Sequence, residues 1–423
     1  MISISILKKS LIISLKFIWK HQVGVTIQNK KEKTMVVPEN YRGREQAFVK
    51  HRLLETYLER LFMIIGLSQP VIRYVDCFSG PWNEKDEQLK DTSIGISLGI
   101  MKKCLDGLNG IGRNVSFHAL FIEKDRRAFE KLDSHLKTTT LPGITTTAHN
   151  GDFFDLRDEI LRWCGQDDFT FFFIDPKGWK NIVEIPTLEP LLKRPNSEFL
   201  INFMYDFVLR THTQESFQDE MKAIFGSIPD TVNLNPKQKD EHLIKLYRSK
   251  LKEIAPLKGG KPRTAHVPIL YPVRDRTYYH LVYLTRHPKG ITVFMGASEK
   301  LDLVQHQVRE KAKQDNRENR TRQLELFDSA DDTNVVVSVD IEKVKAYLLR
   351  KITGSSMTFG IEQLADMMEE TGWFEKDYQA AFKELFKKGV LANIDDKKGR
   401  RRTNHVKFDA NHNKGEEVIR LTS

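Results

Sequence analysis

Acidic residues close or follow four apolar segments of the sequence: Asp76, Glu123, Asp152 and Asp175. Open α/β sheets bind ligands beyond the carboxyl ends of their strands, where carboxylates accept hydrogen bonds from hydroxyl and amino groups. A single acid at such a place is more often a solvated strand-end residue, so the prediction depends on the order of all four. That order predicts a crevice for a ligand that contains a nucleoside.

The turn after the first of these segments is suited to close approach by a ligand. The backbone amides of Phe78, Ser79 and Gly80 can face an anionic or polar group. Pro81 and Trp82 follow, so the G-x-G-x-x-G fingerprint of dinucleotide-binding proteins is absent. The turn gives poor support to a dinucleotide and better support to a single nucleoside.

Three further side chains complete a nucleoside site in this interpretation. Glu123 would accept hydrogen bonds from the ribose hydroxyls, Asp152 would accept one from the adenine amino group, and Phe153 would pack against the ring. A nucleoside cofactor needs a close turn, a ribose acceptor and an adenine clamp. The sequence offers them in that order.

The fourth acidic segment, FTFFFIDPKGW, differs from the others in its proline, glycine and tryptophan. Residues 169–174 are almost wholly apolar, which suits a strand covered on both faces in a parallel sheet. Proline fixes φ and glycine permits a sharp turn, so Asp175 and Trp179 would be held at the crevice. A strand-ending turn with an incidental aromatic residue is the alternative.

Strands and helices alternate along residues 45–304. Nearly continuous apolar strands between amphipathic helices predict an α/β fold with a doubly wound, mostly parallel sheet. We predict a fifth strand at 198–208, and an antiparallel pair formed by 265–273 and 277–296 at the sheet edge. Thr92 or Ser93 is the predicted cap of the helix that follows the first strand.

Residues 335–423 predict a winged helix-turn-helix, because three amphipathic helices precede a basic hairpin around Gly399. A charged helix and linker at 305–334 would join it to the first domain. Nucleic-acid phosphates would be bound by the basic residues of the hairpin, which are Lys397, Lys398, Arg400, Arg401 and Arg402. A contact with another protein, or a merely solubilising face, is the alternative.

Composition and charge add limits to these predictions. The chain has 423 residues and a net charge of +10, of which residues 1–34 carry +6. We interpret 1–44 as a disordered leader or a mis-assigned start, with neither a signal peptide nor a membrane span. Cys77, Cys104 and Cys164 lack the spacing of a disulfide framework or a zinc site, so we expect no metal and a cytoplasmic protein.

The order of the four motifs resembles that of class I S-adenosylmethionine-dependent methyltransferases. The turn after Asp76, then Glu123, Asp152 and DPKGW look like their first to fourth motifs. The resemblance implies S-adenosylmethionine as the cofactor. It also implies that Asp175 and the Pro176 carbonyl accept hydrogen bonds from an exocyclic amino group, with Trp179 stacked on the base. This sequence departs from the motif, because Lys177 replaces a second proline and the aromatic residue stands one place later.

About residues 45–420 resemble the three-Cys-motif partner protein (TcmP) family. The resemblance is carried by VKHRLLETYL, VIRYVDCFSGPW, FIDPKGW and YYHLVYLTRHPKG. It implies a methyltransferase-like fold and a radical-SAM-like three-Cys-motif protein as partner. A more distant similarity to ribosomal-RNA adenine-N6 methyltransferases implies that Lys50 and His51 lie over the cofactor. As an alternative, both are ordinary polar residues of an amphipathic helix.

Two main functions remain open at this point. The first is methyl transfer to an exocyclic amino group of a nucleic-acid base. The second is a non-catalytic module that keeps a nucleoside pocket, binds DNA and leaves chemistry to a partner protein. Lys177 favours the second function, because it places a cation where the base would lie. A nuclease is a weaker third interpretation, since no clustered Asp/Glu-x-Lys constellation stands out.

Overall fold

The computed structural model describes residues 37–38, 41, 43–80, 92–139, 141–176, 178, 182–321, 339–352, 354–396, 405–408 and 417–422, with the side chains of 317–321 excepted. Several predictions lie outside these residues. They are the leader at 1–34, Lys177, Trp179, and the hairpin residues Lys397, Lys398, Arg400, Arg401 and Arg402.

Helices and strands alternate along the first part of the chain, as predicted. The strands are β1 (Val71–Asp76), β2 (Ser116–Glu123), β3 (Ile144–Asn150), β4 (Phe169–Ile174), β5 (Ser197–Phe203), β6 (Arg263–Leu270), β7 (Thr277–Thr285), β8 (Ser356–Phe359), β9 (Leu391–Asn393) and β10 (Glu417–Leu421). The helices are α1 (Glu45–Gly66), α2 (Ser93–Gly110), α3 (Arg126–Thr138), α4 (Phe153–Cys164), α5 (Ile185–Leu192), α6 (Tyr205–Thr211), α7 (Gln218–Phe225), α8 (Pro236–Ile254), α9 (Pro288–Thr321), α10 (Ile341–Lys351), α11 (Ile361–Thr371) and α12 (Glu375–Lys387).

The central sheet has the strand order β3-β2-β1-β4-β5-β7-β6. The pairs from β3 to β5 are parallel, whereas β7 runs antiparallel to both β5 and β6. This confirms the predicted doubly wound, mostly parallel α/β sheet. Because β1 lies between β2 and β4, the acids that end these three strands reach the same edge of the sheet.

The apolar run of β4 is explained by helices on both faces of the sheet. All six of its residues are buried, and successive side chains of a strand point to opposite faces. Phe171 and Phe173 pack in the core that includes α1 and α2, while Phe172 and Ile174 pack in the core that includes α4, α5 and α8. The strand ends at Ile174, so Asp175 begins the connection beyond the sheet edge.

Two predicted boundaries of this domain are wrong. The fifth strand ends at Phe203, and residues 205–211 form α6 rather than its continuation, because Tyr205 and Val208 are buried at helical spacing. The antiparallel strand β7 ends at Thr285, and Pro288 opens α9, which proline can do at no cost in hydrogen bonds. Within α9 the buried residues Ile291 and Phe294 again follow the helical period.

The C-terminal part contains the predicted three helices, α10 to α12, and a small sheet of order β8-β10-β9. The predicted hairpin around Gly399 needs correction. The partner of β9 is β10, with Asn393 opposite Ile419, whereas residues 405–408 form no strand. The longer connection is favoured because Ile419 enters the core fully and Glu417 accepts a hydrogen bond from the Asn393 amide.

The winged domain packs against the outer edge of the central sheet. Arg263 of β6 is 1% exposed and forms ion pairs with Glu362 and Asp366, which lie one helical turn apart on α11. Glu369, a further turn along, accepts a hydrogen bond from the Thr264 amide at 3.0 Å. One face of α11 therefore holds the start of β6. Within the described ranges, no helix is both long and apolar enough to cross a membrane.

Candidate functional site

The turn after β1 is held by Asp76. This residue is fully buried, and its carboxylate accepts hydrogen bonds from the Phe78 amide at 3.1 Å and from the Ser93 hydroxyl at 2.7 Å. The Ser79 amide donates to the Ile122 carbonyl at 2.8 Å, which ties the turn to β2. Burial raises the pKa of Asp76 to about 6, although its two donors act in the opposite direction. Asp76 thus shapes the turn through bonds inside the protein.

Gly80 and Glu123 lie in direct contact. A β-carbon at Gly80 would stand 1.8 Å from Oε2 of Glu123, so a side chain here would require the Glu123 carboxylate to move. The other carboxylate oxygen of Glu123 accepts a hydrogen bond from the Asp125 amide at 2.7 Å. The acid at the tip of β2 is therefore fixed beside the glycine of the β1 turn.

A first cavity of about 1090 Å³ opens on one side of this turn. It brings together five of the predicted cofactor residues: Phe78, Gly80, Glu123, Asp152 and Phe153. The rings of Phe78 and Phe153 lie 5.2 Å apart between their centroids. Asp76 does not line this cavity, because it supports the turn from within, and Ser79 faces a second cavity instead. The volume is at the upper end of that of small-molecule sites.

Asp152 has partners that the sequence did not predict. One of its oxygens accepts a hydrogen bond from the Phe154 amide at 2.8 Å, so Asp152 caps α4 and fixes Phe153 at its first position. The other pairs with Lys124 at 2.7 Å, and this hydrogen bond lowers the pKa of Asp152. Lys124 follows Glu123 at the tip of β2. In the sequence, only its charge in the LFIEKD segment could have indicated that it pairs with an acid of the site.

A second cavity of about 480 Å³ lies on the other side of the turn. Phe78 and Gly80 line both cavities, so the turn is their shared wall. The remaining lining residues come from α1, the start of α2 and the ends of β4, β5 and β7, and they include Lys50, His51, Ser79, Ser93, Asp175, Pro176, Asn202, Tyr278 and Tyr279. Three predicted catalytic residues, Asp175, Pro176 and Lys50, therefore face one space.

Asp175 is held by two side chains. Lys50 forms an ion pair with its Oδ2, and the Asn202 amide donates to its Oδ1 at 2.7 Å. The side chains of Lys50 and Asp175 are only 13% and 16% exposed, so the pair is largely shielded from water. Asn202 was missed, because the predicted fifth strand ran on to 208 and concealed the end of β5. Its Oδ1 is buried and has no hydrogen-bond partner among the described residues.

His51 lies beside this pair on α1. Its Nδ1 is 2.9 Å from the Tyr41 hydroxyl. Burial, reinforced by the positive charge of Lys50, lowers the pKa of His51 to about 3. The imidazole is therefore neutral at physiological pH.

The described residues of the DPKGW segment, Asp175, Pro176 and Gly178, between them line both cavities. Asp175 and Pro176 line the second cavity, while Gly178 lines the first. Residues close together in the chain after β4 therefore contribute to the lining of both cavities. Among the residues that the structure covers, no group of three or more His, Cys, Asp or Glu side chains is placed to hold a metal ion.

Comparison with known proteins supports the C-terminal part of the architecture. Residues 313–398 match the family model of the GMT-like wHTH domain, which covers about a fifth of the chain. No curated protein matches the chain. The mixed, mostly parallel sheet and the match of residues 313–398 together make this an α/β protein with a C-terminal winged helix.

Three solved structures represent these neighbours. A Legionella pneumophila protein of family DUF519 has 10% identity and a TM-score of 0.33, over 59% of this chain and 91% of its own. Loganic acid methyltransferase with SAH has 11% identity and a TM-score of 0.27, over 92% and 99%. Human methyltransferase-like protein 13 in complex with SAH has 13% identity and a TM-score of 0.24, over 48% and 91%. At these TM-scores the detailed description of the site depends on the geometry above.

Proposed function

We propose that this chain is an S-adenosylmethionine-dependent methyltransferase that acts on an exocyclic amino group of a nucleic-acid base. The observation that carries the proposal is the pair of cavities on either side of turn 78–80, with acids of the predicted cofactor motifs at the first and Asp175 at the second. A transferase needs this arrangement, because donor and acceptor must meet across a short distance while each is held separately.

The first cavity fits the adenosine part of the cofactor. Glu123 offers a carboxylate to the ribose hydroxyls, and the pair of rings formed by Phe78 and Phe153 offers an apolar slot for adenine. The missing side chain at Gly80 lets the Glu123 carboxylate lie against the turn, where it would meet the ribose hydroxyls. Asp152 would accept from the adenine amino group with the lone pairs that its contacts with Phe154 and Lys124 leave over.

The second cavity fits the acceptor. A carboxylate has about four lone-pair sites, and Lys50 and Asn202 occupy two at Asp175, so the others can accept hydrogen bonds from an amino group. The Pro176 carbonyl would accept a hydrogen bond from the second N–H of that group. When bound, the cofactor supplies a methyl group on a sulfonium, and the acceptor nitrogen gains this methyl and releases one proton to solvent. Neutral His51 adds no positive charge beside that sulfonium.

Titration calorimetry with S-adenosylmethionine and its demethylated product tests the cofactor half of the proposal. Glu123→Gln should weaken binding about tenfold, because it removes a charge-assisted hydrogen bond. Glu130→Gln is the matched control, since Glu130 lies exposed on α3 and, among the described residues, forms an ion pair with Arg126 alone. Equal affinity in the parent and Glu123→Gln would contradict the assignment, and so would the absence of any binding.

A second candidate is the non-catalytic module with a radical-SAM-like three-Cys-motif protein as partner. It is favoured by the Lys50–Asp175 ion pair, which in this conformation occupies part of the acid that would bind the acceptor. Cofactor binding without methyl transfer to RNA, DNA or protein would support this candidate. In either case we propose that the winged helix binds nucleic acid. We also propose a cytoplasmic location, because all three cysteines are free and buried.

A further inference from the structure

A group of aromatic and basic side chains lies next to the second cavity and has no role in the site described so far. It consists of Phe207 and Arg210 on α6, and of Tyr271, Arg274 and Arg276 in the connection from β6 to β7; we call it the Tyr271 surface. The guanidinium carbons of Arg274 and Arg276 each lie 5.9 Å from the centre of the Tyr271 ring. That of Arg210 lies 5.4 Å from the Phe207 ring.

The Tyr271 surface is continuous with the second cavity. The rings of Tyr271 and Tyr278 are 4.7 Å apart, and those of Tyr278 and Tyr279 are 5.3 Å apart. Tyr278 and Tyr279 line the cavity that also contains Asp175. Burial raises the pKa of Tyr271, and the nearby guanidinium groups of Arg210 and Arg274 oppose that rise. A row of aromatic rings therefore leads from the acid to the basic side chains outside.

The loop that carries this surface is fixed in place. Arg309 of α9 donates hydrogen bonds to the carbonyls of Tyr271 at 3.0 Å and Arg274 at 3.1 Å, and it forms an ion pair with Asp275. Arg276 forms an ion pair with Asp206, which is buried on α6. The loop therefore presents its outer side chains without first having to become ordered.

Positive charge dominates at this place. The loop and its contacts contribute five cations against three carboxylates; the cations are Arg210, Arg274, Arg276, Arg309 and Lys313, and the carboxylates are those of Asp206, Asp275 and Glu310. The Arg210 side chain is 63% exposed and that of Arg276 is 41% exposed, and Val273 in the same loop is 43% exposed. Rings for stacking beside guanidinium groups for phosphates are the features by which proteins bind single strands.

We propose that the Tyr271 surface binds a single polynucleotide strand and directs one of its bases into the second cavity. The destination of the base rests on the proposed function, whereas the binding of the strand does not. In a winged helix-turn-helix, α12 would be the helix that contacts a duplex. Its first turn is less suited than the Tyr271 surface to bind a single strand. It carries Glu375 and Asp377, and its Lys376 is paired with Glu299 of α9 at 2.8 Å.

Fluorescence anisotropy with labelled single-stranded RNA and DNA of mixed sequence, on the full chain without cofactor, tests the proposal. Arg210→Gln combined with Arg274→Gln should weaken binding about tenfold. It should also flatten the slope of log affinity against log salt by about 1.4, because each lost phosphate contact contributes about 0.7 for a single strand. Arg276 remains in this variant, so buried Asp206 keeps a partner.

Arg127→Gln combined with Arg162→Gln is the matched control, because both residues are exposed on other helices and the loss of charge is the same. Tyr278→Leu should weaken strand binding about tenfold through lost stacking, with a salt slope like that of the parent. The RNA and DNA arms distinguish the two sources of a strand, and a duplex of the same sequence should bind more weakly than either.

An unchanged affinity and slope in the Arg210/Arg274 variant would overturn the proposal, and so would an equal loss in the control. Complete competition by polyglutamate, with no loss in Tyr278→Leu, would instead identify an acidic protein segment as the occupant and overturn it as well. In calorimetry, the affinity of the Arg210/Arg274 variant for the cofactor should match that of the parent. If the chain bound single strands but no cofactor, the proposed function would be refuted, whereas the proposal for the Tyr271 surface would remain supported.

Discussion

The two cavities share a wall but differ in how their charged groups are held. At the first cavity, Asp152 pairs with a Lys124 side chain that is 77% exposed, and backbone amides fix one oxygen each of Asp152 and Glu123. At the second cavity, Lys50 and Asp175 are both largely buried and contact each other, and Asn202 adds a third polar group. Water screens the first set of charges and is mostly excluded from the second.

This difference separates two tasks. Exposed, backbone-held acids can exchange a lysine or water for a ligand at low cost, which suits binding and release of a cofactor. A buried ion pair is costly to disturb, and a group that is already desolvated and oriented acts strongly on a reaction. The second cavity is therefore where changes in charge should have the largest effect.

Asp175→Asn tests the second cavity and should have the largest effect on methyl transfer. We expect transfer from labelled cofactor to RNA or DNA to fall by about 10²- to 10³-fold, because an oriented charged acceptor is lost and Lys50 is left buried without a counter-charge. Affinity for the cofactor should stay within about twofold of the parent. Asp133→Asn, in an exposed pair with Lys137, is the control. If Asp175→Asn weakened cofactor binding as much as transfer, the division of tasks would be wrong.

Gly80→Ala tests the shared wall. The added β-carbon would meet the Glu123 carboxylate, so Glu123 must move, and calorimetry should show cofactor binding weakened about tenfold. Gly99→Ala is the control, because its β-carbon would meet nothing within 4 Å on α2. It should leave binding unchanged and raise stability by up to about 1 kcal/mol through higher helix propensity. Equal cofactor affinity in both variants would show that turn 78–80 is not in contact with the ligand.

Asp76→Asn sharpens the comparison through the stability of that wall, with the smallest effect. Burial raises the pKa of Asp76 to about 6, so the folded state holds this proton more tightly than the unfolded state. The stabilisation from this carboxyl is complete below its unfolded pKa of about 3.9 and is lost as the pH rises through 6. Between pH 5 and pH 8, chemical unfolding should therefore show Asp76→Asn gaining about 1 kcal/mol relative to the parent. A difference independent of pH would contradict the raised pKa.

The limits of β4 and the start of α2 were predictable because the patterns that define them are local. The run 169–174 predicted β4 to the residue, and Thr92 caps α2 as expected by accepting from the Gly95 amide at 3.2 Å. Apolar continuity and a capping hydroxyl are read directly from neighbouring residues. The sheet order then brought Glu123 next to the turn after Asp76.

The pairings were beyond the sequence, because they join residues far apart in the chain. Lys50 and Asn202 reach Asp175 from α1 and from β5, and nothing in their own segments indicates this destination. The boundary at 203 was missed because Met204 and the residues of α6 are as apolar as a strand, so composition alone could not separate the two. The same ambiguity hid the start of α9 after β7.

Because α11 and α9 cover β6, the isolated α/β domain should aggregate. A terminal strand offers unpaired amides and carbonyls to any other strand. Here Gln305 of α9 donates to the Pro268 carbonyl at 3.2 Å and accepts from the Leu270 amide at 2.9 Å, which imitates a neighbouring strand. Glu369 caps the Thr264 amide at the other end. Truncation before α10 would expose the Thr264 end of β6 together with the charge of Arg263. We therefore expect the truncated chain to fold but to be less soluble than the full chain.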